Sequence, residues 1–317
     1  MGSLDLPDQP DEPMRARQSD ADGPERNTRR SRELPDPNER SRAYEAARAT
    51  VSAEASAEAS PGQRLDASDR RGYWDEVPRL LKLRAEHEKD WRTKRRAAVD
   101  RSGDPAGSYR SDGGFYLSPE RHAQTIDAIR EVRRVEPTIS ADIRTTEREN
   151  TYGCRLEGFK NRLKGEDRLK EKVAERREGL PDKPPTQVIR EVPDAVRYTF
   201  CAQSESYAKG YYDIKERLER RGYEMYESRN SWAGTEYKGI NTRWVTQEGQ
   251  RFELQFHTSE SYHAKEYVTH WAYKRIRNPL TSDEERAELK EFQREVCAPI
   301  QAPNGALDIP DFKKDGF

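Results

Sequence analysis

The sequence predicts a mixed α/β (α+β) fold: a small, mostly antiparallel sheet flanked by helices, preceded by a disordered N-terminal region. Three observations carry this. Apolar residues at helical spacing fill the stretch up to about residue 177, β-branched and aromatic runs follow from residue 188, and helical spacing returns from residue 259. Before residue 72 neither pattern exists.

Of 317 residues, 32% are hydrophobic and 37% charged, too little apolar matter to bury two good cores. One domain plus disorder fits that composition. Lysine and arginine number 58 against 59 acids, a formal net charge of −1, so no global pull toward nucleic acid or anionic membrane exists and any basic surface must be local. Cys154, Cys201 and Cys297 lack metal-ligand spacing and are expected to be reduced and space-filling. No run approaches the roughly 20 apolar residues of a membrane helix, so no membrane insertion is expected. The N-terminus has no basic flank followed by an apolar core, so export, if it occurs, uses a route that reads no cleavable signal.

Residues 1–71 are dominated by Asp, Glu, Arg, Pro, Ser and Ala and cannot offset chain entropy by burial, so they are expected to be disordered, with a transient helix over 41–60. Residues 72–106 read as a helical linker or adaptor carrying Trp74, Val77, Leu80 and Leu81; cutting the chain at about residue 105 is expected to leave the fold intact. The Gly-, Ser- and Asp-rich run 101–114 marks a boundary, and a domain spans 107–300 with a C-terminal tail at 301–317.

Within that domain Ser118 caps a helix starting at Pro119 and running to about Arg134. A second helix covers Ile139 to Glu149 beyond Pro137, and a third covers Glu166 to Arg177. Val188 to Ala202 reads as a strand entering the core. Ser204 to Arg221 is a helix ended by Gly222, and Tyr223 to Ser228, Gly239 to Val245 and Arg251 to Phe256 are strands, the last two joined by a hairpin turn at Gln247 to Gln250. Ser259 to Arg277 and Ser282 to Cys297 close the chain as helices.

Chemistry concentrates in three places. Asp194 and Glu253 interrupt apolar strand patterns, and Glu253 shares its sheet face with Arg251 and Gln255. Two such carboxylates can hold Mg²⁺, which takes oxygen ligands and keeps waters and phosphates; solvent-facing acids on a half-exposed sheet are the competing reading. Arg162, Lys164, Arg168 and Lys172 cluster at a helix start, a geometry suited to a triphosphate, against the alternative of a solvated helix laced with ion pairs. Tyr237, in the loop Trp232 to Asn241, offers a ring on which a base can stack, or else closes a turn in the core.

Taken in order, the chain carries Arg162-x-Lys164-x-x-x-Arg168-x-x-x-Lys172, Asp194-x-x-Arg197, Tyr237-Lys-Gly-x-Asn241, Phe252-Glu253-Leu-Gln255-Phe-His257-Thr258 and His270-Trp271-Ala-Tyr273-Lys274. This series resembles the synthetase domain of the RelA/SpoT alarmone enzymes over roughly 151–278. It is most similar to the toxic single-domain modules found at the C-termini of actinobacterial polymorphic toxins.

The resemblance implies a nucleotidyltransferase-like fold and a Mg²⁺-dependent transfer of pyrophosphate from ATP to a purine nucleotide's 3′-hydroxyl. Arg162 and Arg197 would sandwich adenine, with Arg168 beside them, and Lys164 and Lys172 would hold the phosphates. Asp194 and Glu253 would bind Mg²⁺, Glu253 also serving as base. Tyr237 would stack on the acceptor base, with Lys238, Asn241, Gln255 and Arg229 nearby.

Arg168 stands where the family usually has serine, Asn241 where long enzymes tend to have histidine, and His257 where many have arginine. The Asp194–Arg197 interval is also short. These departures fall mainly on the acceptor side. A tRNA 3′ end is the nearer alternative acceptor, and an idle nucleotide-sensing or RNA-binding module is the alternative outside enzymology. No His-Asp hydrolase segment accompanies the domain, which fits a growth-arresting toxin acting in the bacterial cytoplasm and held in check by an immunity protein.

Overall fold

The structure, a computed structural model, describes residues 72–93, 99–177, 182–278 and 281–316. The region expected to be disordered over 1–71, with its transient helix, lies outside the described residues.

The first helix, α1 (Tyr73–Thr93), buries Tyr73, Val77 and Leu80 in the same hydrophobic core as the rest of the chain. Spacings of four and three residues put these side chains on one face. Residues 72–106 therefore hold more than a spacer, and a cut at residue 105 would strip three core side chains. A two-stranded ladder of β1 (Tyr109–Arg110) and β2 (Tyr116–Leu117) leads into α2 (Pro119–Glu149), where the Ser118 hydroxyl accepts the N-terminal Arg121 N–H.

Here α2 departs from expectation, because it runs unbroken through Pro137. Proline removes one backbone donor and crowds the carbonyl of Arg133. Buried Ile129, Val132, Glu136, Ile139 and Ile143 straddle it on one stripe, so tertiary packing of the long face outweighs the local defect.

β3 (Arg155–Glu157), α3 (Glu166–Arg177) and α4 (Pro185–Arg190) follow. The last corrects the first part of the strand expected over Val188 to Ala202, whose second part holds. Pro185 sits at the helix start, Val188 and Ile189 point into the core from a helical turn, and Pro193 cannot donate to a ladder. A short 3₁₀ turn at Pro193–Ala195 then delivers the chain to β4 (Arg197–Cys201), so Asp194 lies just ahead of a strand rather than on one.

The remaining elements are α5 (Tyr207–Arg220), β5 (Glu224–Asn230), β6 (Ile240–Val245), β7 (Arg251–His257), α6 (Ser259–His263), a π-helical segment (Ala264–Thr269), α7 (His270–Ile276), α8 (Asp283–Cys297) and β8 (Phe312–Lys313). Six strands form one sheet in the order β3-β4-β7-β6-β5-β8. Only β4 and β7 run parallel; the other pairings are antiparallel, as predicted.

Alternation gives the sheet two unlike faces. Tyr198, Phe200, Phe252, Leu254, Phe256, Ile240 and Trp244 point to the apolar face, where Tyr211 of α5 packs edge-on against Phe256 and Ser140 of α2 bonds the Tyr198 hydroxyl. Arg197, Thr199, Glu253, Gln255, Asn241 and Arg243 occupy the other face, which the π-helical segment overlies. The tail at 301–316 is docked as well: Ala306 and Ile309 are buried, and β8 covers the β5 edge. All three cysteines are unpaired and buried, and burial pushes the Cys154 and Cys297 thiols up to about 12, so they fill space. Among the described residues no helix is long and apolar enough to cross a membrane.

Leu80→Ala should lower unfolding free energy by about 2–5 kcal/mol, the cost of a truncated buried leucine. Denaturant unfolding of the full chain checks this, and an unchanged midpoint would mean that α1 is not part of the cooperative unit.

Candidate active site

The site grows from the parallel pair. Its register sets Arg197 on β4 opposite Glu253 on β7, and Thr199 opposite Gln255. On the far side of β7, Arg243 and Asn241 of β6 stand opposite the same two residues. Glu253 is thus flanked on both sides by arginines, and its carboxylate accepts a hydrogen bond from the Gln255 amide at 2.6 Å.

Asp194 reaches the same place from the 3₁₀ turn. Burial, and then the charge of Asp194, push the Glu253 carboxyl above the ordinary range, while Arg197 and Arg243 hold it back. Burial pushes Asp194 up too, but Lys164, through charge and a direct ion pair, together with Arg197 and Lys172, brings it below the ordinary value. Two carboxyl groups in mutual reach, one shifted up and one shifted down, are what divalent-cation and acid–base sites share.

Lys164 owes its position to an extension of the sheet. Its backbone N–H donates to the Ala195 carbonyl and Arg197 donates to the Arg162 carbonyl, so 162–164 runs alongside the turn that holds Asp194. Lys172, nearly two turns into α3, pairs with Glu175 at 2.5 Å and still acts on Asp194.

Two other members of the expected ATP set are placed differently. Arg168 is mostly exposed and turned to Glu171. Arg162 is tied to Glu136 of α2, with Nε 2.6 Å from Oε1, and its guanidinium lies 4.6 Å from the Phe159 ring, whose centroid is also 4.2 Å from the Arg144 guanidinium. One side of Arg162 is therefore already engaged. A base stacked on it would have to take the other.

On the acceptor side, the Tyr237 hydroxyl donates to Asn241 Oδ1 at 2.8 Å and lies 2.9 Å from His257 Nε2. His257 is buried, its Nδ1 2.9 Å from the Ser261 hydroxyl; burial and then Lys265 drive its pKa far down, so the ring is neutral. The loop passes this ring so closely that a side chain at Gly239, whose φ is 154°, would meet His257 Cε1 at 2.8 Å. The stacking tyrosine is thus a clamped residue with its hydroxyl turned inward. Lys238 donates to the Trp232 carbonyl at 3.0 Å, away from the cleft. Arg229 is exposed on β5, opposite Asn241.

Four contributors were not foreseen from sequence. Lys265 and Glu266, an ion pair at 3.1 Å, project from the π-helical segment into a recess also lined by Asn161, Arg197, Thr199 and Tyr262. Burial and the neighbouring Arg197 push Lys265 down, against the pull of Glu266 and Glu253. Arg277, at the end of α7, acts on Asp194. Glu136, only 3% exposed, anchors Arg162, Ser140 and Tyr198 together. Its signal was present: it takes an apolar place in the stripe Ile129, Val132, Glu136, Ile139, Ile143.

The fold and site together define a mixed α/β domain with a half-buried carboxylate pair on its polar face, surrounded by cations from five elements. Such an arrangement can grip a polyphosphate and a divalent cation at once.

Solved structures similar to this chain include the type VI effector Tas1 in complex with its immunity protein, at 18% identity and a TM-score of 0.40 over 56% of this chain and 96% of that one. The small alarmone synthetase 1 from Bacillus subtilis bound to its product pppGpp is similar at 14% identity and a TM-score of 0.35, over 54% and 88% of the two chains. A GTP pyrophosphokinase family protein from Streptococcus pneumoniae is similar at 16% identity and a TM-score of 0.35, over 56% and 87%. No family model and no curated protein matches the chain.

Two outcomes follow from this geometry. In Asp194→Asn the Glu253 carboxyl should titrate at lower pH than in the parent, because a repelling charge is gone; side-chain carboxyl NMR reads this, and an unmoved titration would mean the two acids are not in contact range. Glu136→Gln should cost about 3–5 kcal/mol at neutral pH by leaving Arg162 without its buried partner. Arg162, Ser140 and the Tyr198 hydroxyl outweigh burial and hold Glu136 below the ordinary carboxyl range. Its stabilisation is therefore present above the unfolded pKa and lost as pH falls through the folded one. The gap between parent and variant should accordingly narrow in acid, and a pH-independent gap in chemical denaturation would contradict the assignment.

Proposed function

We propose that this cleft is a pyrophosphokinase site, moving the β,γ-pyrophosphoryl group of ATP to the 3′-hydroxyl of a purine nucleotide and releasing AMP. The observation that carries the proposal is the Asp194–Glu253 pair: two carboxylates in mutual electrostatic reach, with Lys164, Lys172 and Arg197 gathered on the same point. The ordered motif resemblance of the sequence supplies the reaction type, and the geometry supports it.

Magnesium fits the donor set. A pair of carboxylate donors with no histidine or thiolate beside them suits a hard cation that takes its remaining oxygens from water and phosphate. Asp194 and Glu253 would hold it, and once bound it would neutralise charge on the triphosphate. Lys164 and Lys172 bind and orient the phosphates from the α3 side, and Arg277 adds charge from α7.

Glu253, raised toward neutrality, is suited to accept the proton of the acceptor hydroxyl. As that proton leaves, the 3′-oxygen bonds to the β-phosphorus, the bond from this phosphorus to the oxygen bridging to the α-phosphorus breaks, and AMP departs with that oxygen and its electron pair. Gln255 holds the Glu253 carboxylate in place. Tyr237 and Asn241, locked to each other, shape the acceptor pocket.

A tRNA 3′ end would need a basic path beside Tyr237. Lys238 is turned to Trp232 and Arg243 to Glu227, leaving Arg229, so a free nucleotide is the better-supported acceptor. A catalytically idle nucleotide sensor would have no use for a metal-holding acid pair. On the proposed reading the chain makes a ppGpp- or ppApp-like product and arrests growth in the bacterial cytoplasm, and an immunity protein is its natural antagonist.

Incubation with γ-labelled ATP, Mg²⁺ and, separately, GDP, GTP, ADP, AMP or bulk tRNA should place label on a purine nucleotide. Glu253→Gln should slow this by about 10²–10⁴, the usual worth of a positioned general base. Label on tRNA alone would select the alternative acceptor, and no label anywhere would remove the enzymatic reading.

A further inference from the structure

A second recess lies beside the cleft. It holds about 220 Å³ and is lined by Arg84 of α1, Glu266 and Tyr267 of the π-helical segment, and His270, Trp271 and Lys274 of α7. Neither the proposed transfer nor the motif resemblance gives it a role.

Its chemistry is one-sided. Arg84 is fixed by Glu88, at 2.9 and 3.1 Å, and by the Tyr267 carbonyl, which among the described residues leaves an N–H donor on each terminal nitrogen. His270 and Lys274 stand four apart on one helical face. The Trp271 indole N–H is buried and meets no acceptor among the described residues. Buried donors without acceptors are costly and rare. Glu266, the recess's only carboxylate, is already paired with Lys265. What the recess lacks is a set of acceptor oxygens carrying negative charge.

We propose that this recess is a second binding site, distinct from the carboxylate cleft, for a small phosphate-bearing ligand. Phosphate is the chemistry that matches: compact, multiply charged, with oxygens enough for a guanidinium and an ammonium together. Tyr267, 53% exposed at the rim, offers a ring face where a nucleoside could rest, so either free phosphate or a nucleotide's phosphate fits. Burial and then Lys274 push His270 down to about 4, against the pull of Glu266, so the ring is neutral near pH 7 and can meet an anion through its N–H.

The site also touches the cleft. Glu266 walls both recesses, and its partner Lys265 faces Arg197, so the two recesses share one ion pair as their wall.

The test reads binding and does not depend on catalysis. The full chain, labelled at histidine, is titrated with inorganic phosphate and separately with AMP while the His270 ring resonances are followed by NMR at pH 7. The expected result is a saturable shift of the His270 ring resonances, weakened at least tenfold in Lys274→Gln and Arg84→Gln and retained in the cleft variant Lys164→Ala. Lys274 is exposed, so its substitution leaves the core untouched. A stronger response to AMP than to phosphate identifies a nucleotide as occupant, and equal responses identify free phosphate; both support the site. An unmoved His270, or a shift abolished by Lys164→Ala as fully as by Lys274→Gln, overturns it. Absence of pyrophosphate transfer would sink the proposed function and leave this result standing.

Discussion

The parallel pairing of β4 with β7 is the constraint on which the candidate site depends. In a sheet otherwise antiparallel, this one pair fixes Arg197 against Glu253 and brings the turn before β4 level with the β7 carboxylate. A parallel neighbour requires a crossover, and here the chain from β4 through α5, β5 and β6 supplies it. A slip of one residue would turn Glu253 into the apolar layer between Tyr198 and Phe252 and turn Leu254 to the cleft. The aromatic layer below therefore sets the register of the acids above. Stability and site geometry are written in the same strands.

Given that register, the acids need a counterweight. Two carboxylates in reach of one another raise each other's proton affinity, and without cations both would tend to neutralise. The fold answers asymmetrically. Lys164 pairs with Asp194, while Glu253 receives an amide and two flanking arginines. One acid is held below the ordinary carboxyl range and the other above it. This difference, more than the mere presence of two acids, gives the pair distinct chemical roles. It arises from neighbours on α3, β6 and the π-helical segment that lie far apart in sequence.

Much of this was legible in the sequence and some was not, for identifiable reasons. The strands β5, β6 and β7, the cap at Ser118 and the helices α3, α5 and α8 followed from alternation and helical spacing. Asp194, Glu253, Lys164, Lys172 and Arg197 do act on one another: alternation sets Arg197 and Glu253 side by side, and the turn before β4, the 162–164 segment and α3 bring the other three to them. Pro137 misled, since a local rule was overridden by a long buried stripe. The first part of Val188 to Ala202 misled as well, because β-branched residues serve a buried helical turn as readily as a strand, while its second part is β4 as expected. Arg162 was foreseen as a free stacking surface, but Glu136 and Phe159 engage it. Lys238 was foreseen at the acceptor, but a loop carbonyl takes it. A side chain's residue type can be read from sequence; its nearest partner across the fold cannot.

The π-helical segment explains why Lys265 and Glu266 escaped notice. With i→i+5 hydrogen bonding, residues five apart come to share a face, so Lys265 and His270 align although an α-helical reading sets them apart. Such a widened turn is less favourable than an α-turn and must be held. Three contacts do this: the Thr269 hydroxyl donates to the Ala264 carbonyl at 3.1 Å, Arg84 donates to the Tyr267 carbonyl, and the Tyr73 hydroxyl sits 2.8 Å from His263 Nδ1 at the segment's edge. Two of the three come from α1. The helix that looked like a linker thus helps maintain the backbone that carries a cation to the cleft, and its packing against the core follows from that duty as much as from hydrophobicity. The domain's working unit accordingly begins near Tyr73, ahead of the Gly-rich boundary that composition suggests.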